Sequence, residues 1–161
     1  MKQFLNAVLL RLKEIPELKY VDENWGQLDF YKPNAPVKYP AAVIDFEKLY
    51  WENMGDLTQN ATAEITIEVA TLRLSASSGG VSQKRRSEAF EIYEILDKIV
   101  LSLHGWTPIE TCSCLVRTET AKLGVVDGIK KYQLRFKCQI YDTSTMPKRT
   151  KVNPIVSLKY N

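Results

Sequence analysis

Along this chain the spacing of apolar residues switches twice from a helical period to a strand period. Phe4, Val8, Leu9 and Leu12, with Leu5 and Ile15, share one stripe at helical spacing, which predicts an amphipathic helix over residues 2–14. Pro16 discourages its continuation because proline has no amide hydrogen to give to a helix. Tyr20 and Val21 predict a short extended segment. From 24 to 39 the chain carries Gly26, Pro33 and Pro36 and reads as a meandering connection without a clear period.

A pair of strands follows, over about 41–50 and 63–74. In "PAAVIDFEKLYWENMG", Ala42, Ile44 and Phe46 alternate with Val43, Asp45 and Glu47, the period of two expected of a strand. In the second strand Ala63, Ile65, Ile67 and Val69 alternate with Glu64, Thr66 and Glu68, a pattern with one buried face. Between them "WENMGDLTQNAT" is polar and predicts a hairpin with a long tip. The first strand also continues into Tyr50, Trp51 and Met54, large apolar residues beyond the usual strand length of about five or six.

"SASSGGVSQKRRS", residues 75–87, reads as a loop with a basic cluster, Lys84, Arg85 and Arg86. A second helix is predicted over 83–103, with Ala89, Ile92, Tyr93, Leu96, Ile99, Val100 and Leu103 inward, ended by Gly105 and Pro108. Two more strands close the pattern. "TCSCLVRTETA" alternates Cys112, Cys114 and Val116 with Thr111, Ser113 and Arg117. "KKYQLRFKCQIYD" places Tyr132, Leu134, Phe136, Cys138 and Ile140 inward, and Gly124, Asp127 and Gly128 supply the turn between the two. The expected fold is one α+β domain over residues 1–142. It has a mostly antiparallel sheet of four or slightly more strands, two helices on one face and a long hairpin. Residues 143–161, "TSTMPKRTKVNPIVSLKYN", carry four basic residues, no acidic one and an apolar patch of Ile155, Val156 and Leu158. They are read either as a disordered tail or as an arm docking on a neighbouring subunit.

Composition changes this picture little. With 161 residues, 45% of them hydrophobic, the chain can bury a core without a disulfide or metal staple. The net charge of +3 is too small to argue for a dedicated nucleic-acid binder. No membrane span is expected. "MKQFLNAVLLRLKEI" superficially resembles a signal peptide, but Arg11, Lys13 and Glu14 interrupt it, so use without export is expected.

Candidate chemistry is sparse. Cys112, Cys114 and Cys138 form no C-x-x-C, supply too few ligands for structural zinc and are expected to pack as reduced thiols. The single histidine, His104, stands at a predicted helix end, where the helix dipole accounts for it better than catalysis does. No phosphate-binding glycine motif and no G-x-S-x-G is present. Asp45 with Glu47 and Glu64 with Glu68 share strand faces, but carboxylates on an outward face are ordinarily solvated. No catalytic residue, cofactor or metal site is therefore expected, and the chain is read as a non-enzyme. Binding surface remains. Tyr50, Trp51 and Met54 are of types enriched in interface cores; they either serve assembly or fold back over the sheet. The Lys84–Arg86 cluster is either a solvated helix start or a contact for an acidic partner or passing DNA.

The order of these elements resembles a known family. The N-terminal helix, "YPAAVIDFEKLYWENMGDLTQNATAEITIEVATLRL", the glycine- and serine-bearing loop, and "SEAFEIYEILDKIVLSLHGW" with its Leu103–Trp106 ending are similar to the tail terminator proteins of long-tailed bacteriophages. These are also called tail completion or minor tail protein U-like proteins. "VRTETAKLGVVDGIKKYQLRFKCQIYDTS" looks like their final hairpin, ending at Asp142. The resemblance covers residues 1–144 in pattern and element order. It implies a homo-oligomeric, hexameric ring at the head-proximal end of the tail tube that stops tube polymerisation and meets the head connector. The implied partners are further copies of the chain, the major tail tube protein and the head–tail connector or neck proteins. DNA would only pass through the lumen, and no membrane is involved. The implied location is the virion, after synthesis in the host cytoplasm. Interaction regions carried over are the hairpin over 51–62, including Leu57, the loop 75–86 and the outer strand faces. A different neck or head-completion ring protein is the nearest rival, and a non-viral small-molecule-binding domain the more distant one.

Overall fold

A computed structural model describes residues 1–29, 37–72, 80, 82–126 and 128–146, leaving aside the side chains of residues 85–89 and 126. The elements run α1(Lys2–Lys13), β1(Tyr20–Glu23), β2(Ala41–Gly55), β3(Thr58–Leu72), α2(Gln83–Leu103), β4(Val116–Val126) and β5(Ile129–Asp142). Phe4, Val8 and Leu12 form the buried stripe of α1. In α2, Ile92, Ile95, Leu96, Ile99 and Leu103 are buried, while Tyr93, read as inward from the period, is exposed. Its ring packs edge-on against Tyr132, and the Tyr132 hydroxyl donates to the Tyr93 hydroxyl at 2.7 Å.

The five strands lie in the order β1-β2-β3-β5-β4, with β1 parallel to β2 and every other pairing antiparallel. The sheet is therefore mixed, mostly antiparallel as expected but with one parallel pair, and has five strands, one more than the four that the pattern marks most clearly. The extra member is the short segment at Tyr20 and Val21, which pairs with Ala41 and Ala42. Both helices cover one face. There Ala42, Ile44, Ala63, Ile65, Ile67, Val69, Leu134 and Phe136 meet Phe4, Val8, Ile95 and Ile99 in the main core. A smaller core lies on the opposite face, where Leu28, Ala41, Val43, Ala70 and Ile129 are buried with Tyr20, Val37 and Tyr39 against them. Leu28, Val37 and Tyr39, from the described parts of the connection between β1 and β2, thus cover the start of β2. All four residues 41–44 are buried as a result, where strict alternation would leave two of them wet.

Three further expectations change. The polar stretch "WENMGDLTQNAT" is not a long loop. β2 and β3 continue to Gly55 and Thr58, which pair, and the turn is Asp56-Leu57, both with positive φ (48° and 60°). That is the pattern of a two-residue hairpin turn whose twist matches its strands. Gly124 is not in the turn of the last hairpin; it lies inside β4 beside an irregularity in register, with φ +121°. The segment before β4 is not strand either, apart from a single bridge from Cys112 to Ile140. Cys112 and Cys114 therefore do not share a face: Cys112 is buried and Cys114 exposed. Burial pushes the thiols of Cys112 and Cys138 up, that of Cys138 to about 12, so both stay protonated as small packing groups. His104 is the C-cap of α2, and its Nδ1 accepts from the Arg117 amide at 3.1 Å. The extension is described only as far as Met146. Ile155, Val156 and Leu158 lie outside the described residues.

Candidate assembly interface

The candidate residues Tyr50, Trp51 and Met54 all fall on the distal half of β2, and Leu57 falls in the turn. All four are exposed, by 52%, 42%, 61% and 64% respectively. None of the four is buried against the sheet in the single chain. What distinguishes this half of β2 is its edge. β1 pairs only with residues 41–44, and the Asn24 amide donates to the Ile44 carbonyl at 2.7 Å. Beyond that point no strand among the described residues pairs the outer edge of β2. An unpaired row of amides and carbonyls is a template for another strand.

Tyr50 and Trp51 flank this edge from opposite sides. The register of β2 on β3 shifts between Phe46 and Lys48, so Glu47 is an extra residue. Before the shift Phe46 lies opposite Ile65 on the helix face. After it Lys48 lies opposite Glu64, Tyr50 opposite Thr62 and Trp51 opposite Ala61. Ala61 belongs to the main core, so Trp51 shares the helix face, whereas Tyr50 shares the helix-free face. Unbroken alternation from Ala42 would instead have sent Lys48 into the core. The two aromatics therefore do not make one patch; they bracket a strand edge.

Cross-strand ion pairs run across the helix-free face. Arg135 reaches Glu47 at 3.3 Å and Glu119 at 3.2 Å, linking β5 to β2 and β4, and Lys137 reaches Glu64 at 2.7 Å. The Thr66 hydroxyl donates to Glu47 at 2.5 Å. Glu47 and Glu64, predicted as solvated, are thus partnered. Lys137 holds the Glu64 carboxyl below its usual range, chiefly through their hydrogen bond. Tyr141, which sequence reasoning missed, is exposed on the same face; it lies opposite Asn60, two positions along β3 from the partner of Tyr50. Near the turn, the Thr145 hydroxyl donates to the Leu57 carbonyl at 2.5 Å, so the chain leaving β5 is tied to the tip.

The basic cluster lies elsewhere. Lys84 is exposed in the first turn of α2, which follows the end of β3 remote from the turn. The side chains of Arg85 and Arg86 lie outside the described residues. A second exposed edge is the outer side of β4, unpaired among the described residues, with Val116, Leu123 and Val125 exposed. No signal in the sequence marked it, because which strand ends a sheet is decided by pairing and not by composition. Among the described residues no group of three or more His, Cys, Asp or Glu is placed to hold a metal ion. No described helix is long and apolar enough to cross a membrane.

No protein-family model matches the sequence, and no curated protein matches it. Among solved structures, a chain of the virion of a native gene transfer agent particle has a similar fold. The TM-score is 0.51 at 15% sequence identity, over 88% of this chain and 91% of that one. Because the match spans nearly all of both chains, the likeness is one of the whole architecture.

Proposed function

We propose that this chain is a structural subunit of a phage-like virion and acts as a tail terminator. In this reading copies close into a ring at the head-proximal end of the tail tube, stop its polymerisation and join the tail to the head connector. The observation that carries the proposal is the distal half of β2: a strand whose outer edge is unpaired among the described residues, flanked by exposed Tyr50, Trp51 and Met54. A monomer gains nothing from keeping such a strand extended, whereas a subunit needs it. A head-to-tail contact of this kind yields a ring when its rotation closes. The whole-chain likeness to a virion component supports the same reading. The partners are then further copies, the tail tube protein and neck proteins, and the chain carries no catalytic or cofactor-binding role. The helix-free face is compatible with a lumen. Its Arg135 and Lys137 are paired with carboxylates, and DNA would pass such a lining without the tight phosphate binding of a strongly basic one.

The test is mass in solution, alone and with tail tube protein. A closed species of about six copies supports the proposal, and a monomer that binds a metabolite overturns it. Particles assembled without this protein separate the terminator from another neck component. Overlong tails on detached heads indicate a terminator, and tails of normal length with unsealed heads indicate a head-completion role.

A further inference from the structure

We infer that copies of this chain join edge to edge, distal β2 of one copy pairing antiparallel with β4 of the next. The inference rests on the ring reading above and names the surface that would close the ring. The five-stranded sheet leaves two long edges unpaired among the described residues: β2 beyond Ile44 and the whole outer side of β4. Each is interrupted by irregularities, in β2 between Phe46 and Lys48 and between Asn53 and Gly55, in β4 between Arg117 and Glu119 and between Lys122 and Gly124. The regular windows are therefore 48–53 and 119–122. Bulges at edges discourage indiscriminate pairing; here they bound two short windows, which confines pairing to few registers.

Strand direction favours this combination. β2 and β5 run one way, β3 and β4 the other. In a ring whose axis lies roughly along the strands, the next copy presents β4 running against β2, and the antiparallel alternation continues across the boundary. Charge favours it over pairing of like edges. From 45 to 53 the β2 side carries Asp45 and Glu52 against Lys48, its Glu47 being held by Arg135 and Thr66. β4 carries Arg117 and Lys122, and its Glu119 is already held by Arg135. Two β2 edges would set two net-acidic edges against each other, whereas β4 offers Arg117 and Lys122 to the acidic edge of β2.

The faces then choose the register. Paired residues share a face, and Trp51 lies on the helix face with Thr120 and Lys122, which oppose Leu134 and Tyr132 of the main core. Setting Trp51 opposite Thr120 would place Glu52 opposite Glu119, two like charges. Setting Trp51 opposite Lys122 places Glu52 opposite Ala121 and Asn53 opposite Thr120. It also brings the Lys122 ammonium to the indole.

Disulfide trapping in the full chain tests this, with Cys114→Ser to remove the exposed native thiol. Within one chain β2 and β4 are separated by β3 and β5, three strand spacings or about 14 Å, so a disulfide, limited to about 7 Å between Cα atoms, forms only between chains. Glu52→Cys with Ala121→Cys, oxidised mildly in the presence of tail tube protein, is expected to give a ladder of covalent multimers ending at the ring size. Its yield should exceed that of Glu52→Cys with Leu101→Cys on the order of ten-fold. Asn53→Cys with Thr120→Cys should give the same ladder, because in antiparallel pairing a step towards the turn is matched by a step towards the start of β4. A ring of the expected mass without the ladder overturns this inference alone and leaves the ring reading standing; pairing of β2 with the chain's own segment after Met146 would give that result. A ladder whose best partners move the opposite way also overturns it. A species that stays monomeric with tube protein present overturns both.

Discussion

The first four residues of β2 and its last six share a strand, a partner strand and a ladder of hydrogen bonds, yet only the first four are core. Residues 41–44 have β1 along their edge, helices over one face and the chain from 24 to 40 over the other, as far as it is described. Residues 50–55 have β3 as their one strand partner among the described residues and are all exposed. The distal half is more polar, with Glu52 and Asn53, but it also carries three large apolar residues, Tyr50, Trp51 and Met54. Burial here is decided by how many layers reach a residue, and a strand that outruns its layers keeps its shape while leaving its apolar groups to a partner.

The largest expected effect lies at the base. Ile44 is fully buried in the main core, so Ile44→Ala should cost about 2–5 kcal/mol of unfolding free energy. Denaturant titration would show it, and a cost below about 1 kcal/mol would mean the base is not the anchor described. At the other end Trp51→Ala should behave in the opposite way. Monomer stability should change by less than about 1 kcal/mol, while association should weaken by about 2 kcal/mol, roughly thirty-fold, as for an interface anchor. Sedimentation across concentration measures the second quantity and thermal melting the first. If Trp51→Ala unfolds the chain with its assembly constant unmoved, the two halves of β2 are alike after all.

The turn offers a finer probe. Leu57 holds φ at 60°, a conformation that ordinary side chains adopt at a cost of about 1 kcal/mol or more. Leu57→Gly should relieve that strain and raise monomer stability by a few tenths to about 1 kcal/mol. Because Leu57 is exposed at the tip, the same change should not improve assembly, so stability and association move apart. Equal gains in both would remove the tip from the interface.

The smallest effect is acid sensitivity on the helix-free face. Lys137 lowers the Glu64 carboxyl from its ordinary value of 4.5. A carboxyl depressed in the folded state contributes stability that is present above its unfolded value and lost as pH falls through the folded one. The contribution of this pair should therefore fade below about pH 4.5. Glu64→Gln should flatten that part of the pH profile and leave neutral-pH stability nearly unchanged, since such pairs near the surface contribute little.

Much of the fold was legible where one face is buried. α2 was read to its observed ends because its apolar period is sustained and Gly105 stops it. β5 was read from clean alternation over a one-sided core. The distal hairpin was not legible as strand, because an exposed strand has no buried face to impose a period and its Asn, Gly, Asp and Thr mimic a loop. The bulge at Glu47 also broke the alternation that would have told which way Tyr50 and Trp51 face. For the site, the exposed aromatics could be named from residue type and excess strand length. That they flank an edge unpaired among the described residues could not, since the order β1-β2-β3-β5-β4 is fixed by pairings remote in sequence.

Hydrogen exchange of β2, compared between free and assembled protein, tests the central claim most directly. Amides in 41–44 should be slow in both states, because layers cover them in the single chain. In 48–53 the amides that face β3 should also be protected throughout. Those facing the open edge should exchange fast in the free chain and become slow in the assembly. Open-edge amides that stay as fast in the assembly as in the free chain would contradict the account.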